Sequence, residues 1–229
     1  MKRTIVVLAL AGLTVGGCGH SGTNDSQPRN DDVAKIYALE SSMPTGFKVS
    51  REPVKTMTAK DAEAVRQASA GTHTSPAQCG TVVQATPMPE GTTTAGLRAE
   101  NSREHVQLSF TVGDSDKPFA MAPTPPQGCD VIAFSKTSTS DAEPSVSGTA
   151  MTITAPQIDG VDTYGVRSLL TLGLDGSEGH AYQFVYAAKI NEHRILLTTF
   201  VSLQDGQKKT VTPKDAADLF VKAVQLVRN

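Results

Sequence analysis

Between Val161 and Leu203 the chain carries three long stretches of strand-forming residues: Val161 to Leu174, His180 to Ile190 and Arg194 to Leu203. Only Asp175-Gly176-Ser177-Glu178-Gly179 and Asn191-Glu192-His193 separate them. Such short separators, rich in turn-forming residues, reverse the chain, so the three stretches are expected to pair as an antiparallel meander. The middle stretch is apolar on both registers, with Tyr182, Phe184 and Tyr186 on one side and Val185 and Ala187 on the other. Strand side chains alternate between the two faces. The centre of this sheet is therefore covered on both faces, or its concave face holds something.

The flanking segments add strands and helices. Val106, Leu108, Phe110 and Val112 alternate with His105, Gln107, Ser109 and Thr111, which predicts a strand over 104–112 with one wet face. Phe47, Val49 and Val54 suggest a strand, Cys129 opens another with Val131 to Phe134, and Val146 to Thr154 forms a third. Pro87 and Pro89 confine anything over 82–89 to a sheet edge. Segments 72–78, 118–128 and 136–145 are read as loops. A short helix is expected over 31–42, with Val33, Ile36, Tyr37 and Leu39 on its apolar face. Thr58 begins a second helix, with Asp61 as a variant of the capping box and Val65 as its one sizeable anchor, ending near Gly71. The last helix is the clearest: Thr212 caps it, Pro213 takes the first position, and Leu219, Phe220, Ala223, Val224 and Val227 form one stripe. Strands in runs with helices at both ends argue for an α+β domain: an antiparallel meander sheet with helices packed on it in two layers.

The N-terminus says where such a domain resides. Lys2 and Arg3 precede an apolar run from Ile5 to Val15, too short to span a bilayer, which takes about 20 residues. The run ends in Val15-Gly16-Gly17-Cys18, which resembles the bacterial lipobox. That resemblance implies cleavage before Cys18 and a diacylglycerol on its sulfur; the alternative is an ordinary signal peptide with a chance cysteine. Residues 1–17 are then a signal peptide, 18–30 a lipidated cysteine and flexible tether, and 31–229 a single extracytoplasmic domain. Residues 19–30 contain no Leu, Ile, Val or aromatic residue, and as a coil they would span about 20 Å. Two or more acyl chains hold a protein stably at a membrane, at about 0.8 kcal/mol per buried methylene. Removing Lys2 and Arg3 moves the formal charge from −2 to −4, which argues against a nucleic-acid partner.

Of the three cysteines, Cys79 and Cys129 remain after Cys18. In an oxidising compartment they most simply form a disulfide; the alternative is two free thiols. Neither lies in a Cys-x-x-Cys or metal-ligand pattern, so no metal site is expected.

Catalytic motifs are sparse. There is no Gly-x-Ser-x-Gly elbow, His-Glu-x-x-His helix, phosphate-binding loop or dinucleotide fingerprint. His20, His73, His105, His180 and His193 show no ligand spacing, and the clusters Glu100, Arg103, Glu104 and Asp159, Asp162 read as charged hairpin ends. Ala122-Pro123-Thr124-Pro125-Pro126 reads as a stiff loop, with recognition by a partner domain as the alternative. Tyr182, Phe184 and Tyr186 form the densest aromatic run; they line a ligand pocket or, more simply, one side of a packed sheet. The chain is read as no enzyme and as needing no cofactor.

The lipobox-like exit, the Thr/Ser/Gly tether, Ser42-Met43-Pro44-Thr45-Gly46-Phe47 and the two spaced cysteines together resemble a family of uncharacterised mycobacterial lipoproteins. That family is distantly similar to the extracellular sensor domain of the PknH-type serine/threonine kinases. The resemblance implies an antiparallel sheet with helices packed on it, disulfide bonding and a ligand cleft. Kinase sensors carry more cysteines, and their second bridge has no counterpart here. The expectation is a lipoprotein anchored to the extracytoplasmic face of the cell membrane, binding a small molecule, a lipid or an envelope protein. A lipid or glycolipid carrier with an apolar cavity is the alternative, and a hydrolase assembled only in space is the third.

Overall fold

The computed structural model describes residues 27–83, 88–121, 126–136, 145–174 and 177–228. In chain order its elements begin with α1 (Gln27–Ala34), a 3-10 helix (Lys35–Ser42), β1 (Lys48–Thr56) and α2 (Ala59–Ser69). They continue with β2 (Thr72–Ser75), a 3-10 turn (Ala77–Cys79), α3 (Gly80–Val83), β3 (Thr93–Asn101) and β4 (Val106–Asp114). The remainder is β5 (Val131–Lys136), β6 (Ser145–Ile153), β7 (Asp162–Leu174), β8 (Ser177–Asn191), β9 (Arg194–Leu203) and α4 (Pro213–Arg228). All strands join one sheet in the order β1-β3-β4-β9-β8-β7-β6-β5-β2, every neighbour antiparallel. The α+β class, the β7–β9 meander and the capped C-terminal helix stand as the sequence predicts.

The sheet is covered on opposite faces in its two halves. Cross-strand partners share a face, so the register row Leu97, Phe110, Thr198, Tyr186 lies on one side. There Leu97, Leu108, Phe110 and Phe200 meet Phe220, Ala223 and Val224 of α4 and Val33, Ile36 and Leu39 of the N-terminal helices. Val201, Ala181, Val166, Ala150 and Ile132 point the other way, and they pack with Val82 and the Cys79–Cys129 bridge in a second core. The disulfide, with a sequence separation of 50, ties the chain just before α3 to the start of β5. Strands β8 and β9 serve both cores, which accounts for the apolar residues on both registers of β8. Gly148 sits where β6 presses on β7, since an added Cβ would collide with the Leu169 carbonyl oxygen.

Several expectations change. The N-terminal helix begins at Gln27, inside the expected tether, and its second half is 3-10. A three-residue repeat explains this, because Val33, Ile36 and Leu39 line up at 3.0 residues per turn. Residues 72–75, expected as loop, form edge strand β2 against β5. Gly80–Val83 is helical where an edge strand was the only strand reading, and residues 84–87 lie outside the described residues. Thr93–Asn101, to which no element had been assigned, is an interior strand between β1 and β4. His105 is not on a wet strand face; it occupies the β3–β4 turn with φ 51°. The opposite face of β4 is not fully wet either, since Gln107 is buried.

Arg194 fastens the first half together. It donates through Nε to Asp114 Oδ2 (2.8 Å), through Nη2 to Asp32 Oδ2 (2.9 Å) and through Nη1 to the Val227 carbonyl (3.0 Å). One guanidinium so links β9, β4, α1 and the carbonyl end of α4, where a cation also suits the helix dipole. Removing the guanidinium takes a charged hydrogen-bond donor from Asp114, Asp32 and the Val227 carbonyl in a half-buried network. Arg194→Ala is expected to lower unfolding free energy by about 1–3 kcal/mol in urea titrations. Thr198, on the row between Phe110 and Tyr186, buries a hydroxyl with no hydrogen-bond partner. Thr198→Val should therefore raise stability by about 1 kcal/mol; a drop of similar size would mean that the hydroxyl is satisfied.

Candidate functional site

The structure divides the aromatic run of β8. All three rings share the face covered by α4, but only Tyr186 lies beneath that helix, its ring 5.4 Å from Phe220. Phe184 is half-buried at the margin, 6.0 Å from Phe200. Tyr182 is 41% exposed beyond the helix, opposite Leu169 (42%) on β7, with Val131 (58%) further along the same face. The run is thus mainly packed sheet, and only its Tyr182 end reaches an uncovered surface. Cys18 lies outside the described residues.

The imidazoles serve local structure. The His193 Nδ1 lies 2.9 Å from the Ser115 carbonyl oxygen, and the His180 Nδ1 lies 3.4 Å from Thr171 Oγ1. His73 is exposed on edge strand β2, and His20 lies outside the described residues. His105 Nδ1 stands 2.8 Å from Asp205 Oδ2, an acid–imidazole pair, but the same carboxylate takes the Lys209 ammonium at 2.6 Å. Glu104 accepts from the Thr210 backbone N–H and hydroxyl, and Lys209 also donates to the Glu104 carbonyl. Together these contacts bind the β3–β4 turn to the loop before α4. Glu100 accepts from the Ser102 hydroxyl, and Asp159 offers its carbonyl to Arg228. Both acidic clusters so belong to chain reversals. No group of three or more His, Cys, Asp or Glu able to hold a metal ion occurs among the described residues.

The polar groups that the sequence did not single out lie on the other face, in the middle of the sheet. Register sets Ser168 of β7 beside Gln183 of β8, then Val201 of β9 and Gln107 of β4. The next row reads Val166, Val185, Thr199 and Ser109, and the next Tyr164, Ala187 and Leu197. Ser168 (6%), Gln183 (5%) and Thr199 (3%) are buried. Tyr164 has a sealed, unpartnered hydroxyl, and burial pushes its phenol up to about 12. By contrast the Gln107 amide oxygen accepts from Arg98 at 2.8 Å. Val185 and Leu197, half-exposed at the centre of this patch, belong to neither core.

Each buried polar group without a partner costs about 1–3 kcal/mol. Among the described residues Tyr164 and Thr198 are the side chains whose sealed hydroxyls lack one, Tyr164 on this face and Thr198 on the other. Single polar residues inside alternating strands gave no signal of these rows, because only the register of three strands brings them together.

Lys209 first, and His105 second, hold the Asp205 carboxyl well below the usual carboxylate range. A carboxyl depressed in the fold stabilises it above its unfolded pKa, about 4, and that contribution fades as pH falls through the folded value. Asp205→Asn should accordingly be less stable than the wild type at neutral pH, with the gap closing in strong acid. Thermal midpoints across pH check this, and a constant gap would sink it.

Comparison with known proteins agrees with this fold. The chain is similar to the crystal structure of an uncharacterised Mycobacterium smegmatis protein, the Rv0999 ortholog. The TM-score is 0.62 at 22% identity, covering 86% of this chain and 97% of that one, a likeness of fold. A search of the curated proteins finds no match. Residues 32–228 match the family described as a domain of unknown function, DUF5642, and the chain belongs to that family.

Proposed function

We propose that this chain is a lipoprotein of the extracytoplasmic membrane face whose folded domain binds a ligand or partner without catalysing a reaction. The observation that carries the reading is Val15-Gly16-Gly17-Cys18 at the end of a short apolar leader with Lys2 and Arg3 before it. The Cys79–Cys129 bridge supports it, since such bonds persist in oxidising compartments. No helix among the described residues is long and apolar enough to cross a membrane, so in this reading Cys18 bears the attachment. A binding role draws support from the uncovered Tyr182 end of the first face. A sensor is the form of binding that the kinase-domain resemblance favours. The carrier alternative drew on the double-sided apolar pattern of β8, and two cores on opposite faces account for that pattern.

Detergent phase partitioning of the full chain, made in a mycobacterial host, tests the anchor. The wild type is expected in the detergent phase and Cys18→Ala in the aqueous phase. Equal retention of both with membranes would overturn the reading.

A further inference from the structure

We propose that a second copy of this chain covers the open half of the first sheet face, over β5 to β8, in a two-fold dimer. This names the partner for the Tyr182 end and rests on the reading of the domain as a binding module. The large hydrophobic side chains exposed among the described residues are Val131, Leu169 and Tyr182, and all three lie on this half-face. Register places Val131, Met151, Arg167 and Phe184 in one row, and Leu169 and Tyr182 in the next. A third row, ending at His180, is otherwise Ser and Thr. No side chain of these rows on β5 to β8 is fully buried, whereas alternate positions on the same strands form the second core. Exposed apolar side chains gathered on one face mark a contact surface, while scattered ones do not.

Shape, charge and area favour a second copy as the occupant. Helix α4 lies over β4, β9 and β8, and a helix with its side chains is about 10–12 Å thick. Two sheets packed face to face stand about 10 Å apart. The step beside α4 thus has the depth that a second sheet needs, and under two-fold symmetry the step on the second copy receives the first in return. A flat bilayer would rest on α4 and bridge the step. Arg167 is the one formal charge in these rows, and its long stem carries the guanidinium toward the rim. The half-face therefore meets its own copy without a field of like charges. Three rows on four strands occupy about 20 Å by about 19 Å, roughly 400 Å² of sheet plane in each copy. Side-chain relief and the flank of α4 bring two such faces to about 1,000 Å², the low end of specific interfaces, so the dimer is a weak one.

Sedimentation equilibrium on the full chain carrying Cys18→Ala, across concentrations that bracket the micromolar range, tests the proposal. Reversible dimers are expected. Leu169→Glu sets a carboxylate in the middle of the covered face of each copy and should weaken association about ten-fold or more. Leu169 is exposed in the single chain, so at dilution the variant should keep the thermal midpoint of the wild type. Val131→Ser removes apolar contact without adding charge and should weaken association less. Ser50→Glu, on the outer strand β1, should associate as the wild type does. A monomer at every concentration, or dimers equally tight in Leu169→Glu, overturns the proposal. Recruitment of the monomer to anionic phospholipid vesicles, lost in Leu169→Glu, also overturns it and assigns the half-face to a bilayer. Each result leaves the detergent-partitioning outcome for Cys18 as it stands, so the two readings fail separately.

Discussion

A sheet of nine strands has more surface than this chain has apolar residues to cover. With 38% hydrophobic residues, no Trp and, among the described residues, five short helical elements before α4, the chain does not bury both faces along their full width. It covers one face over β1, β3, β4, β9 and β8, and the other over β5 to β9. Two consequences follow from that division. Strands β8 and β9 must be apolar on both sides, and each face is left with an uncovered region beyond the edge of its cover. On the first face that region is the Tyr182 end.

The two covers are held by different chemistry. Over the first half, α4 contributes a continuous apolar stripe, and Arg194 fixes the relative placement of helix ends and strands by hydrogen bonds to three separate elements. Over the second half the helical cover is one turn of α3, too short to be stable alone. There the covalent link from Cys79 to Cys129 supplies what area does not. The chain-entropy account of cross-links puts a loop of this length at about 4 kcal/mol, on the scale of a whole buried side-chain cluster.

Local signals determined what could be read from the sequence. The β7–β9 meander announces itself through alternation and short turns, and α4 through Thr212, Pro213 and a regular stripe. Strand β3 does not: its inward residues are Ala95, Leu97 and Ala99, of which one is large, and its strand character comes from partners on both sides. Strand β2 is four residues, Thr72-His73-Thr74-Ser75, with no apolar side chain, and it exists through pairing with β5. The aromatic run of β8 was legible as a run. Its partition into buried Tyr186, marginal Phe184 and exposed Tyr182 depends on how far α4 reaches across the sheet. Ser168, Gln183 and Thr199 were illegible for a related reason. A cluster made by register has no spacing in the sequence, since its members are contributed one per strand.

The Arg194 contact to Asp32 also defines a mechanical path. Asp32 sits on α1, the first described element, so tension applied there reaches the sheet through this ion pair and the 3-10 helix behind it. The load enters at β9 and β4, two interior strands that pair along their whole length, rather than at edge strand β1. Pulling there shears many hydrogen bonds in parallel instead of unzipping them one after another. The fold is thus braced where its first described helix meets the interior of the sheet.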